Sequence, residues 1–213
     1  VFMQTDKNKT ISGFVHNVKG KYCLFPVPDP TLVYFHNAQL NYNQSKTELN
    51  KLINKLDFEE LSNSMPIHEL YNYYGATCGI IINLFTAIES FVNQFIPKNF
   101  KYTVEKRNVT EIYNQTQIME SIYFKTKLTQ ILHQITKKDF FNNSSSNSQI
   151  IWNLKEFRDQ IIHTKPETTN FQYEDLMKKS LNFKYDKAIE ATAKLLNYYR
   201  PDYVVECGCE KDF

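Results

Sequence analysis

Between Pro66 and Pro97 the chain has no further proline, and Leu84, Ile88, Phe91 and Phe95 recur at spacings of four, three and four. Apolar residues at that spacing fall on one face of an α-helix. A helix over 67–96 is about 45 Å long at about 1.5 Å per residue, enough to form the backbone of a helical bundle. Pro66 suits a first helical turn, with Ser64 as its cap, and Pro97 ends the segment. Gly75 and Gly79 are places for it to bend.

The remaining periodicities agree with an all-α bundle. Leu49, Leu52, Ile53 and Leu56 mark one face of an earlier helix, which the pattern starts at about Asn37. After a polar connection over 98–113, Ile118, Ile122, Leu128, Ile131, Leu132 and Ile135 mark a helix over Gln115–Thr136. A loop rich in Asn and Ser follows, and Ser148 or Asn147 caps a helix over Gln149–Thr164 whose apolar face is Ile150, Leu154, Phe157 and Ile161. The last helix, Phe183–Tyr199, buries Ala188, Ala191, Leu195 and Leu196 and stops at Pro201. With only 5 glycines and 7 prolines in 213 residues, the chain lacks the tight turns of an all-β sandwich.

The first 36 residues read differently. Two short alternating runs, Thr10–His16 and Tyr22–Phe25, flank Lys19-Gly20 and predict a β-hairpin. Pro26, Pro28 and Pro30 then break the element, leaving Thr31–Phe35 as another strand or an extended arm. The expected organisation is an appendage over 1–36, a helical bundle over 37–201 and a tail over 202–213.

The formal charge of +2 argues against a protein that coats duplex DNA. Lys98–Asp139 is more basic, with eight cations against four carboxylates, a pattern that suits a solvated helix face or a polyanion's approach. The longest apolar run, Cys78–Phe85, is far short of a bilayer span, and no secretory leader is read. Cys23, Cys78, Cys207 and Cys209 make no disulfide framework, so the expected compartment is the cytoplasm. Cys207-Gly208-Cys209 supplies only two of the ligands a zinc site needs, and no metal or cofactor is assigned.

The chemistry-bearing stretch is Phe157-Arg158-Asp159-Gln160-Ile161-Ile162-His163. Lys and Arg together number 25, yet only Arg107, Arg158 and Arg200 are arginines. An arginine on an apolar helix offers a fixed fork of donors that fits phosphate or carboxylate. Asp159 and His163 are four apart and can pair along a helix. Arg158 and His163 are five apart, about 140° around an ideal helix. They converge on one phosphate at a frayed helix end or across a symmetric interface. Glu89 and Asn93, also four apart, lie beside the long helix's apolar stripe, where a carboxylate needs a partner.

These residues resemble the HEPN superfamily of all-helical proteins. Arg158 and His163 match its R-x4-6-H motif, with Asp159 as the polar residue after the arginine. Thr86–Asn93 resembles its earlier long helix, with Glu89 as the acid and Asn93 following. The resemblance covers roughly Pro66–Pro201 and implies an up-and-down helical bundle, to which the N-terminal hairpin or extended appendage is an addition. It also implies a metal-independent endoribonuclease, often a toxin or defence effector, acting on RNA as a homodimer. An antitoxin such as a nucleotidyltransferase partners some members. His163 is then the general acid or base and Arg158 binds the phosphate. Asp159 orients His163 or holds the dimer cleft, and Glu89 anchors Arg158. Asn93, Lys155 and Lys165 complete the RNA contacts. Some members lack nuclease activity, so the same helices also fit a non-catalytic module for dimerisation or partner binding.

Overall fold

A computed structural model describes residues 2–4, 10–56, 66–142, 145–163 and 171–205. It is a mostly helical bundle carrying an N-terminal antiparallel sheet. Strand β2 (Thr10–Val18) pairs with β3 (Lys21–Pro26) from Gly13↔Pro26 to Val18↔Lys21. Lys19 (φ 51°) and Gly20 (φ 83°) both occupy the left-handed region, as a two-residue hairpin turn of the expected Lys-Gly kind requires. The Asn17 side chain accepts the Gly20 amide at 3.0 Å and closes the turn. A third strand, β1 (Phe2–Gln4), adds to the other edge of β2.

Helix α1 (Pro30–Lys55) starts seven residues before Asn37, so Thr31–Phe35 is helix, not strand. The three prolines hide a start signal. Pro30 occupies the first turn, and the Asp29 carboxylate caps it by accepting the Thr31 amide at 3.0 Å. The same carboxylate accepts Gln94 Nε2 at 3.0 Å and the Tyr203 hydroxyl, tying both chain ends to the central helix. Burial works against the Asp29 charge. The hydrogen bonds from Tyr203, Gln94 and Thr31, with nearby Arg200, outweigh it and hold the carboxyl below its ordinary range. Burial and the Asp29 carboxylate together push the Tyr203 hydroxyl up to about 12.

The register set at Pro30 decides which face of α1 is buried. Thr31, Phe35, Ala38, Ser45, Glu48 and Leu52 face inward. Of the expected stripe, only Leu52 is buried, while Ile53 and Leu56 are exposed.

Helix α2 (Ile67–Phe95) is the central element, and Leu84, Ile88 and Phe91 are fully buried. Ser64 lies outside the described residues, among which no side chain caps α2. An 18-residue window of α2 has a mean hydropathy of 1.5, long and apolar enough by composition to cross a membrane. The core takes up 56% of that window. A Cβ at Gly79 would come 2.7 Å from the Asn41 side chain, so this glycine permits the close approach of α1 to α2.

The connection after α2 is not irregular. It forms a hairpin of β4 (Tyr102–Lys106) and β5 (Val109–Tyr113). Tyr102 joins Ile96, Ile118 and Ile131 in a small second core. The single helix expected over 115–136 is broken. Helix α3 (Gln115–Ser121) opens with a capping box between Asn114 and Gln117 and ends at Ile122 and Tyr123, whose backbones are extended. After the short α4 (Phe124–Thr126), a π-turn over Lys127–Ile131 leads into α5 (Leu132–Thr136).

Helix α6 (Ser146–Ile162) starts three residues earlier than expected, capped by Ser145 through the Ser148 amide at 3.2 Å. Ile151, Leu154 and Phe157 are its buried face. Helix α7 (Phe171–Asn182), which has no counterpart in the expected elements, precedes α8 (Tyr185–Tyr199). In α8, Ala188, Ala191, Leu195 and Leu196 are buried as the spacing requires. The tail cysteines, Cys207 and Cys209, lie outside the described residues.

Candidate functional site

The last turns of α6 carry Lys155, Arg158 and Asp159, and His163 follows as the residue that ends the helix. The Asp159 carboxylate accepts Lys155 Nζ at 2.6 Å and Arg158 Nη1 at 3.2 Å. Partial burial works against the Asp159 charge, but the two cations prevail and hold its carboxyl below the ordinary value. The expected pairing of Asp159 with His163 is not made. Asp159 turns back one helical turn to Lys155, where an ammonium offers a full charge. His163 leaves helical geometry (φ −105°, ψ 43°), is exposed, and among the described residues keeps only its backbone bond to the Asp159 carbonyl at 2.9 Å.

Arg158 is held from two sides. Its guanidinium carbon lies 4.8 Å from the centroid of the Phe85 ring on α2, and one nitrogen is engaged by Asp159. A planar cation over an aromatic face is attracted by the ring's electrons. The Arg158 side chain remains 26% exposed.

The anchoring of Arg158 by Glu89 is also not made. Glu89 faces the other way, toward Lys127 on the π-turn, with Nζ 3.4 Å from Oε1. Lys127 is the buried cation of this region, its side chain 3% exposed, and its second acceptor is the Met119 carbonyl at 2.9 Å. Its geometry explains the choice. Arg158 arrives from α6 at Phe85, one turn before Glu89, and meets Asp159 first. Lys127 is confined beneath Glu89 and needs a carboxylate there.

Glu89 and Asn93 line a cleft of about 730 Å³ between the start of α1 and α2. Its walls include Pro28, Asp29 and Tyr34 on one side and Met119 on the other, with Thr86, Ser90 and Gln94 along the floor. Asn93 Oδ1 is buried there and accepts no hydrogen bond from the described residues. Thus the expected site residues fall in two places. Arg158, Asp159, Lys155 and His163 share the end of α6, while Glu89 and Asn93 belong to the cleft one turn further along α2. Lys165 lies outside the described residues.

Lys127 and Phe85 escaped sequence reasoning, although Lys127 carried a signal. It stands three residues after Phe124 and four before Ile131, an inward position where a lysine needs a buried partner. Among the described residues, no group of three or more His, Cys, Asp or Glu side chains is placed to hold a metal ion.

No family model matches this chain, and neither the curated proteins nor the solved structures yield a match to it.

Proposed function

We propose that this chain is a metal-independent endoribonuclease of the HEPN type, a cytoplasmic toxin or defence effector that cuts RNA as a homodimer. The observation behind this reading is the state of Arg158. It is held over Phe85 and by Asp159 with its side chain 26% exposed, five residues before His163 at the end of the same helix. A preorganised fork suits a phosphate whose negative charge grows in the transition state. In the reaction, the ribose 2′-oxygen bonds phosphorus and the bond to the 5′-oxygen breaks. His163 takes the 2′-hydroxyl proton or returns one to the leaving oxygen.

A homodimer suits the spacing of the two residues. Arg158 and His163 point about 140° apart on one helix, so two copies of α6 across a two-fold axis would complete a shared phosphate site. Lys155 and Asp159 act as positioning residues, neutralising one another beside the arginine.

A second reading, a non-catalytic dimerisation or partner-binding module, draws on Ile82 and Ile162. Both are exposed, at 36% and 43%, on the two helices that present Arg158. The test is cleavage of mixed cellular RNA in excess chelator by wild type, Arg158→Ala and His163→Ala. Cleavage by wild type alone is expected. A folded dimer that cuts nothing would leave the module reading in its place.

A further inference from the structure

The N-terminal sheet ends in an open edge whose hydrogen-bonding pattern follows from its register. The strand order is β1-β2-β3, so among the described residues no strand pairs along the outer side of β3. The Val27 amide donates to the Ser12 carbonyl at 2.7 Å, which fixes the phase of the ladder. Antiparallel pairs alternate between residues that exchange both backbone bonds and residues that exchange none. Counted from Ser12 and Val27, the bonded pairs are Phe14 with Phe25, His16 with Cys23 and Val18 with Lys21. Tyr22, Leu24 and Pro26 therefore turn their backbone groups away from β2, toward the open edge. Proline has no amide, so the edge offers two donors, at Tyr22 and Leu24, and three carbonyls.

Large apolar side chains beside this edge are uncovered on both faces of the sheet. Phe14 and Val18 are exposed on one face, where Phe14 stacks on Phe25 at 5.6 Å between centroids. Val15, Leu24 and Tyr22 are exposed on the other, Leu24 to 46% and Tyr22 to 81%. A short sheet without cover is marginal on its own. A partner laid on one face would leave the other bare. A strand added at the edge extends both faces and supplies the missing backbone bonds.

We propose that the occupant of this edge is β3 of a second copy, paired antiparallel about a two-fold axis at Cys23. Centred there, Tyr22 of each copy exchanges both backbone bonds with Leu24 of the other, and all four free amides are satisfied. The neighbouring registers fail. A centre at Tyr22 sets Leu24 against Gly20, whose amide is already held by Asn17 and whose backbone is left-handed. A centre at Leu24 sets Tyr22 against Pro26, which has no amide to return. The edge thus complements itself in one register. In that register the exposed side chains of Tyr22 and Leu24 lie opposite one another on one face, and Lys21 lies opposite Phe25, which keeps the two like charges apart. This contact goes beyond the ribonuclease reading and does not use α6. A chain that makes both contacts assembles beyond a dimer.

The experiment is amide hydrogen exchange of the full chain, followed residue by residue by nuclear magnetic resonance from about 50 μM to about 1 mM, the range of a weak, small interface. The Tyr22 and Leu24 amides should exchange at least about threefold more slowly at the upper end, while the Cys23 amide, already bonded to β2, stays protected throughout. Leu24→Pro deletes one outward amide and leaves the bonds to β2 in place. It should abolish the protection of Tyr22 and keep that of Cys23, which reports that the hairpin still forms. Tyr22→Pro, at the other outward amide, is the second variant and should do the same to Leu24. In a chain carrying Cys78→Ser, Cys207→Ser and Cys209→Ser, diamide should join two copies through Cys23, each thiol giving one proton and one electron to the oxidant. Opposite residues of such a pair lie about 4.5 Å apart between Cα atoms, within reach of a disulfide. Edge amides that exchange fast at every concentration overturn the proposal and leave the edge to a strand of another protein. Slow exchange in a chain that light scattering finds monomeric overturns it too, because the chain then covers its own edge. A Cys23 disulfide that forms equally well with Leu24→Pro also overturns it. None of these readings involves RNA cleavage, so the edge contact and the nuclease fail separately.

Discussion

Arg158 stacks on Phe85, its guanidinium carbon 4.8 Å from the ring centroid, while Phe85 itself packs on Phe124 at 4.5 Å between centroids. The ring therefore ties the π-turn region, the central helix and the arginine into one unit. Phe85→Leu keeps an apolar side chain but removes the electron-rich face. It should cost about 1–2 kcal/mol of stability through lost packing. Loss of the stacking should also weaken RNA binding about three- to tenfold. Arg158→Lys should lose as much affinity without the stability cost, because an ammonium keeps the charge but not the planar fork. Fluorescence anisotropy with a labelled RNA, beside urea melts, separates the two effects. Unchanged RNA affinity in both variants would detach Arg158 from phosphate binding.

Asp159 gives the site a measurable pH signature. Burial opposes its charge, Lys155 and Arg158 favour it, and the balance puts its folded pKa below the ordinary 3.8. A depressed carboxylate contributes stability that is fully present above the unfolded value and is lost as pH falls through the folded one. The side chain is 37% exposed, so solvent screening limits the effect to about 0.5 kcal/mol. Asp159→Asn should therefore be slightly less stable than wild type at pH 7. The gap should hold down to the ordinary aspartate value and close below it. Urea unfolding of both proteins across that range decides the matter. A gap that widens on acidification would mean that Lys155 and Arg158 do not hold the carboxylate.

The sequence made the core helices legible because their periodicity is local. In α8 the four expected apolar residues are buried, and in α2 Leu84, Ile88 and Phe91 are, with Phe95 half-buried. The hairpin turn was legible for a similar reason, since Lys19-Gly20 must adopt left-handed geometry whatever packs around it. Hidden features depend on register or on distant partners. The buried face of α1 is set by where the helix starts, and a start at Pro30 rotates Ile53 and Leu56 outward while turning Glu48 inward. Strands β4 and β5 are five residues each, and their exposed faces dilute the alternation. In the candidate site, spacing placed Arg158 and Asp159 on α6 and His163 at its end, where the helix stops at Ile162 and not at Thr164, but it could not choose among partners. Lys155 and Lys127 pair with the carboxylates assigned to His163 and Arg158.

Asp29 is the clearest case of a residue whose weight comes from several elements at once. Its carboxylate caps α1 through Thr31, accepts Gln94 on α2 and accepts the Tyr203 hydroxyl after α8. Asp29→Ala removes a cap worth about 1 kcal/mol and strands two further donors, for a total loss of about 2–3 kcal/mol. Asp29→Asn keeps an oxygen for the cap and should recover about half of it. Tyr203→Phe should cost about 1 kcal/mol. Because Asp29 and Tyr203 share one bond, the double variant Asp29→Ala/Tyr203→Phe should lose less than the two single losses combined. Urea denaturation of the four proteins measures that coupling. Strict additivity would show that the hydroxyl and the carboxylate do not meet in solution, and would leave the chain after α8 to its other contacts, among them the Asn197 bonds to the Tyr203 and Val204 backbone.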